Sequence, residues 1–200
     1  MINTIIFDFG DIFVNLNKQE TIDEFKKLGL DGPNADLVKL NTQFEKGHIS
    51  ENDFVNGFKK YIPKASDNEI RNAWNTVIGE FPLYRLEFLQ MLVGKYKMFL
   101  LTNTDSIHID YFEQKVGESF SRDFYQCFEK VYYSYEMGKR KPEIEIYTEL
   151  LKKHDLSPRR TLFIDDKKEN TDAAASLGIQ VWNLKVGEED VVDLFEKKIF

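Results

Sequence analysis

The sequence predicts a parallel α/β fold with a helical insert after its first strand, and three observations predict it. Short apolar segments that stop abruptly at polar residues recur along the chain, as the buried strands of a parallel sheet do. Helical patterns alternate with these segments in the C-terminal part of the chain. Between about Lys18 and Gly79 the alternation ceases, and helical patterns appear with no convincing strand.

The strands come in order. Residues 2–9 are apolar and β-rich until Asp8, and Gly10 opens a turn. Residues 97–101 lead into Thr102-Asn103-Thr104-Asp105. The aromatic run at 131–133 is a third strand. Residues 161–164 end in Asp165-Asp166, and residues 179–182 follow Gly178. The helices between them are expected over 81–93, with Leu83, Leu86, Leu89, Leu92 and Val93 on one face, over 144–151, and over 171–177 up to the C-cap residue Gly178. Pro142 and Pro158 stand where helices should begin. In the insert, Ile22, Phe25 and Leu28 are in helical register over 20–28, and residues 37–44 form another candidate. Ser50, followed by acidic residues, and Ser66 or Asp67 are expected to cap two further helices. The domain division that follows is a core of residues 1–15 and 81–200 and a helical cap of residues 16–80.

Composition bounds the function. The chain has 200 residues, enough for one core and a small second lobe. A net charge of -7 argues against a nucleic-acid surface. The single cysteine, Cys127, excludes a disulfide framework and is expected to pack as a small hydrophobe. Neither a membrane span nor a signal peptide is visible, so a cytoplasmic protein, monomer or homodimer, is expected.

The polar residues at the strand ends carry the chemistry. In open parallel sheets, ligands bind beyond the carboxyl ends of the strands. Asp8, Thr102-Asn103 and Asp165-Asp166 all fall there, with Lys141 close by. Each alone is a common turn or cap residue. Together, three carboxylates in one crevice repel each other, and a hard divalent cation relieves the conflict. A hydroxyl, backbone N–H groups and a Lys then suit phosphate oxygens.

In this order the series resembles the haloacid dehalogenase-like (HAD) hydrolase superfamily, with its Rossmann-like core and helical cap. The four motifs are Ile5-Ile6-Phe7-Asp8-Phe9-Gly10-Asp11-Ile12, Phe99-Leu100-Leu101-Thr102-Asn103-Thr104, Gly138-Lys139-Arg140-Lys141-Pro142-Glu143, and Phe163-Ile164-Asp165-Asp166-Lys167-Lys168-Glu169-Asn170. The resemblance implies that Asp8 is a nucleophile that forms an aspartyl-phosphate on a small phosphorylated substrate. It implies a Mg2+ site made by Asp8, the Gly10 carbonyl, Asp165 and Asp166. Thr102 would bind the transferring phosphoryl group, and Lys141 would offset its charge. Gly10 and Asn103 would join Lys141 in holding the substrate. In the cap, Glu45 and His48 lie in a polar, glycine-bearing turn that could meet the leaving group; Trp74 and His108 are further candidates for the same space.

The chain departs from the family pattern at one point. Most phosphatases of the superfamily carry a second Asp two residues after the nucleophile, as general acid; here that residue is Gly10. The Asp-Phe-Gly start resembles a subgroup that includes α-glucose-1-phosphate phosphatase and the N-terminal domains of epoxide hydrolases. Asp11 is the substitute candidate for the proton transfer, against a plain turn role. The rival activities are a metal-independent 2-haloacid dehalogenase, which would not retain the Asp165-Asp166 pair, and a silent phosphate-binding member. A receiver module would place its acid pair first and its Lys last, the reverse of this chain.

Overall fold

The computed structural model of the protein describes residues 1–197. Five strands form one parallel sheet: β1 (Thr4–Phe7), β2 (Lys97–Thr102), β3 (Lys130–Tyr133), β4 (Thr161–Asp165) and β5 (Gln180–Asn183), in the order β3-β2-β1-β4-β5. The strand that bears Asp8 at its end is therefore central, flanked by the strands that lead to Thr102 and Asp165.

Successive side chains on a strand point to opposite faces, so each strand feeds two cores. Ile5, Phe7, Met98, Leu100, Leu162 and Ile164 pack on one face, and Ile6, Phe99, Leu101 and Phe163 on the other. Helices cover both. They number, in chain order, α1 (Lys18–Lys27), α2 (Ala35–Glu45), α3 (Glu51–Lys59), α4 (Asp67–Asn75), α5 (Leu83–Leu92), α6 (Ser106–Val116), α7 (Glu118–Tyr125), α8 (Ser134–Met137), α9 (Ile144–Lys153) and α10 (Lys168–Ser176). Leu86 and Leu89 of α5, Phe112 of α6 and Phe124 of α7 close the first face. Ile146, Tyr147 and Leu150 of α9 and Ala174 of α10 close the second.

The four helices α1–α4 lie between β1 and β2 and enclose a cluster of their own, with Phe25, Phe44, Phe54, Phe58 and Ile70. Ile107 of α6 joins that cluster and ties the lobe to the sheet domain. Ser50 and Ser66 each form a capping box, with Asp53 and Glu69 respectively. Two connectors join the lobe to the sheet, and they pair with each other. Asn15 N–H donates to the Glu80 carbonyl and Gly79 N–H to the Asn15 carbonyl, both at 2.8 Å, and Leu16 and Ile78 form an antiparallel bridge. Arg85, buried on α5, pins the first connector by donating to the Phe13 carbonyl at 3.1 Å and to Asn15 Oδ1 at 2.9 Å. Among the described residues, no helix is long and apolar enough to cross a membrane.

Three expectations are corrected. Leu83 and Val93 are exposed, because the buried stripe of α5 runs through Leu86, Phe88, Leu89 and Leu92, leaving its two ends to solvent. Ile22 is exposed while Phe25 carries the burial of α1. Pro158 opens a single 3-10 turn, Pro158–Arg160, and Pro142 precedes α9 by two residues.

Candidate active site

Asp8, Thr102, Lys141, Asp165 and Asp166 come together at the carboxyl edge of the sheet, and the bonds there are short. Lys141 Nζ lies 2.7 Å from Asp8 Oδ1 and 2.6 Å from Asp165 Oδ2, and all three side chains are buried. Burial alone would pull the Lys141 ammonium down; the charges of Asp165 and Asp8 outweigh it and hold the group above its ordinary value. Asp8 is pushed up to about 7, first by burial and also by Asp165, against the opposing pull of Lys141. Asp166 is raised too, by burial and then by its neighbour Asp165, with Lys18 opposing.

These three acids fit a hard cation. One carboxylate oxygen from each of Asp8, Asp165 and Asp166 lies within 4.8 Å of the others. An all-oxygen set with two carboxyls held up in protonation by their surroundings is the donor chemistry that magnesium takes and relieves. The two aspartates of the fourth motif are not equivalent, however. Asp165 has both oxygens engaged: Oδ1 accepts from Lys167 N–H at 2.8 Å and Asn170 Nδ2 at 3.0 Å, and Oδ2 from Asn170 at 2.9 Å as well as from Lys141. Among the described residues, Asp166 has one side-chain ion pair, Lys18 Nζ at 3.9 Å from its Oδ2. Asp165 is the anchor of the site and Asp166 its more available oxygen donor.

Asn170 was given no role in the sequence reading. It sits on the first turn of α10, five residues past Asp165, where a helix following a strand folds back over the strand end. A polar residue at that offset is the signal that could have found it.

Asn103 has a different task from the one expected. Its Nδ2 donates to the Lys141 carbonyl and its Oδ1 accepts from Lys141 N–H, both at 2.8 Å. Both ends of the amide thus clamp the loop that presents Lys141, so Asn103 positions the ammonium while also lining the crevice. Ser134 does the same for the loop after Thr102, donating to the Thr104 carbonyl at 3.1 Å and accepting from Thr104 N–H at 3.0 Å. Thr102 itself is buried and lines the crevice, as does Gly10.

Asp11 is bound up as a turn residue. It adopts a left-handed backbone with φ +58°, and its Oδ1 accepts from Leu16 N–H at 2.9 Å while Oδ2 accepts from Lys18 Nζ at 2.6 Å. It borders the open groove beside Asn15 and Arg85, outside the crevice lined by Gly10 and Thr102. A Cβ on Gly10 would come within 2.8 Å of Leu16 Cδ1, so an acid at that position has to displace a residue of the crevice wall. Lys18, unremarked in the sequence, reaches the crevice from the start of α1.

The lobe roofs a cavity of about 220 Å³ whose floor is made by Gly10, Thr102, Asn103 and Lys167. Glu45 and Trp74 line it; His48 does not. Gly47 turns the chain with φ +66° and lies hard against the Tyr135 carbonyl, leaving no room for a side chain. The chain leaves that turn outward, so His48 is exposed and its Nδ1 lies 3.1 Å from Gln43 Oε1. Two ion pairs, Lys46 with Glu143 and Arg140 with Glu45, join this end of α2 to the segment that carries Lys141.

Trp74 stacks on His108 with ring centroids 4.9 Å apart, and its Nε1 donates to Asp105 Oδ2 at 3.1 Å. His108 has an acceptor at each nitrogen: Nδ1 lies 3.0 Å from Asp105 Oδ2 and Nε2 3.1 Å from the Trp74 carbonyl. A ring so placed donates from both nitrogens and carries a positive charge. Burial opposes that charge, but the Asp105 carboxylate prevails and raises His108 above its ordinary value.

A buried carboxylate beside a buried lysine, two further acids, and a helical lobe over the sheet edge are the parts of one known hydrolase class. The family model for haloacid dehalogenase-like hydrolases matches residues 2–178, and the chain belongs to that family. Among relatives, it is 27% identical over 195 residues to a D-ribitol-5-phosphate phosphatase of Bacteroides thetaiotaomicron, covering 94% of this chain and 95% of that one. It is 28% identical over 180 residues to a sesquiterpene phosphatase of Aspergillus oryzae, covering 87% and 85%. A solved HAD-family enzyme from Bacteroides thetaiotaomicron, in its magnesium complex, superposes with a TM-score of 0.89 at 35% identity, over 98% of this chain and 99% of that one. The same enzyme has been solved with magnesium and inorganic phosphate, and that structure gives a TM-score of 0.83 at 34% identity, covering 94% and 97%.

Proposed function

We propose that the protein is a magnesium-dependent phosphomonoesterase of small phosphorylated metabolites, sugar or polyol phosphates foremost. The observation that carries this reading is the placement of Asp8: a buried carboxylate against Lys141, sharing a cation-sized acid cluster with Asp165 and Asp166. The magnesium complexes of the superposed enzyme and the phosphatase activity in the names of two relatives support it.

Asp8, Asp166, Asp165 and the Gly10 carbonyl would hold the ion, which when bound neutralises phosphate charge and favours the ionised nucleophile. One Asp8 oxygen attacks phosphorus, and the ester P–O bond breaks in line with it, leaving an aspartyl-phosphate and an alkoxide that takes its proton from water. Lys141 is fixed to Asp8 before substrate arrives, so it meets the developing phosphoryl charge without reorganising. The Thr102 hydroxyl donates to a phosphoryl oxygen. Water then attacks phosphorus and returns the Asp8 carboxylate and inorganic phosphate. The four helices of residues 16–80 act as the cap that excludes bulk water, and the paired connectors at Asn15 and Gly79 act as its hinge. Asp11, with one oxygen on Leu16 N–H and the other on Lys18 Nζ and outside the crevice lining, is assigned to holding the turn.

The test is a phosphate-release screen over phosphorylated metabolites with and without magnesium, with Asp8→Asn as control. Release that needs both magnesium and Asp8 is expected. Chloride release from 2-chloropropionate without metal, in place of phosphate release, would reassign the protein to the dehalogenases.

A further inference from the structure

The cations around the crevice are not equally free. Lys141 is pinned between Asp8 and Asp165, on the side from which the nucleophile attacks. His108 has both ring nitrogens engaged, by Asp105 and by the Trp74 carbonyl. Lys167 follows Asp166 directly and belongs to the floor. Lys18 differs from all of these. It begins α1, so it reaches the crevice from the cap, just past the Leu16–Ile78 bridge that joins the lobe to the sheet. An ammonium has three N–H bonds to donate. One goes to Asp11 Oδ2 at 2.6 Å, and Asp166 Oδ2, at 3.9 Å, is beyond hydrogen-bond reach. The remaining N–H bonds of Lys18 have no hydrogen-bond partner among the described residues. Asp11 is itself held by its left-handed turn and by Leu16 N–H at 2.9 Å, so the ammonium is anchored at one N–H and open at the others.

We infer that Lys18 is a catalytic residue whose ammonium stabilises the negative charge that develops on the leaving-group oxygen. The inference deepens the phosphomonoesterase reading and rests on it. In-line displacement puts the departing oxygen opposite Asp8, on the cap side of the phosphorus. Lys141, fixed to Asp8, cannot follow it there. Gly10 offers only main chain, and Asp11 lies outside the crevice lining. A cation carried by the cap meets the need, and the charge of Lys18 already acts on Asp8 as well as on Asp11 and Asp166. The ester P–O bond breaks with its electron pair on the departing oxygen, which then takes a proton from water. The Lys18 side chain is half-exposed, so water reaches the same point. The hydroxide so formed is neutralised by the proton released when a second water hydrolyses the aspartyl-phosphate. Lys18 keeps its protons throughout, and its part is electrostatic. Asp11 is the positioning residue that holds the ammonium at the crevice wall.

The experiment measures kcat/KM, at saturating magnesium, for p-nitrophenyl phosphate, phenyl phosphate and the fastest alkyl ester of the phosphate-release screen. Nitrophenolate leaves readily without help, whereas an alkoxide needs its charge held. Lys18→Met should lower the alkyl-to-nitrophenyl ratio on the order of 10²-fold, the usual cost of removing one group that stabilises a developing oxyanion. Lys18→Arg keeps the positive charge and should hold that ratio within about tenfold of the unmodified enzyme's. Lys18→Gln retains a donor for Asp11 but no charge; it should behave as Lys18→Met and replaces it should that variant fold poorly. Phenyl phosphate should fall between the other two esters in each neutral variant. An equal loss on all three esters would mean that Lys18 serves only the turn or the metal site, and no loss would mean that it serves neither; either result overturns the inference. Failure of the unmodified enzyme to cleave any of the three would instead count against the phosphomonoesterase reading itself.

Discussion

The floor of the crevice and its roof are built on opposite principles. In the floor, Asp8, Lys141 and Asp165 are paired inward, and Asp166 is the open oxygen donor beside them. Lys141 bridges Asp8 and Asp165, Asn170 and Lys167 complete Asp165, and Asn103 clamps the Lys141 loop. In the roof, the lobe rests on a few ion pairs. The difference separates two jobs. A floor that completes its own bonds is preorganised for one chemistry and pays little reorganisation at the transition state. A roof joined to that floor by a few ion pairs and its two connectors can move against it without breaking the network below.

The comparison can be broken most severely at Lys141. Lys141→Met removes the only buried cation facing Asp8 and Asp165 among the described residues and leaves two carboxylates uncompensated. Breaking such a pair costs roughly 3–5 kcal/mol, so thermal unfolding should shift well down and turnover should fall by about 10³-fold or more. Unchanged melting would mean that the floor is not the locked network described.

Magnesium affinity sharpens the same point. Asp8 is held up to about 7 by burial first and by Asp165, and a metal binds only its ionised form. Below that value the ion competes with a proton, so calorimetric affinity should be about tenfold weaker at pH 6 than at pH 8. A flat profile would remove Asp8 from the ligand set.

His108 links the roof to the floor's second loop, and its effect is smaller. Its folded pKa is raised, above an unfolded value near 6.5, by the Asp105 carboxylate against the cost of burial. The stabilisation is therefore fully present below about pH 6.5 and is lost as pH rises through the raised folded value. The melting difference between the protein and His108→Gln should be greatest near pH 6 and shrink toward alkaline pH. A difference that grows with pH would contradict the charged ring. Asp11→Asn is expected to do least: it weakens two turn contacts, so turnover should change only a fewfold, whereas a loss matching that of Asp8→Asn would make Asp11 the proton donor after all.

Much of the floor was legible in the sequence. Apolar runs that end in Asp8, Thr102 and Asp165 announce both the strands and the edge at which they converge, because burial dictates the first and polarity the second. What escaped depends on partners far along the chain. Asn103 clamps a loop 38 residues away, and no local pattern reveals that both faces of its amide are occupied. Asp11 and His48 were misdirected by backbone turns, the left-handed conformation at Asp11 and the Gly47 turn pressed on Tyr135, which re-aim side chains by one residue's worth of rotation. Helices α6 and α7 were missed because their buried residues, such as Ile107, Ile109 and Phe112, follow the shape of the lobe and sheet they bridge more than a clean helical stripe.

The most direct test of the central claim is to trap the covalent intermediate. Enzyme mixed with magnesium and a radiolabelled phosphate ester is quenched in acid within milliseconds, and the labelled peptide is sequenced by mass spectrometry. The account predicts an acid-stable, alkali-labile phosphoryl group on Asp8, absent from Asp8→Asn. Label on another residue, or full turnover by Asp8→Asn, would contradict it.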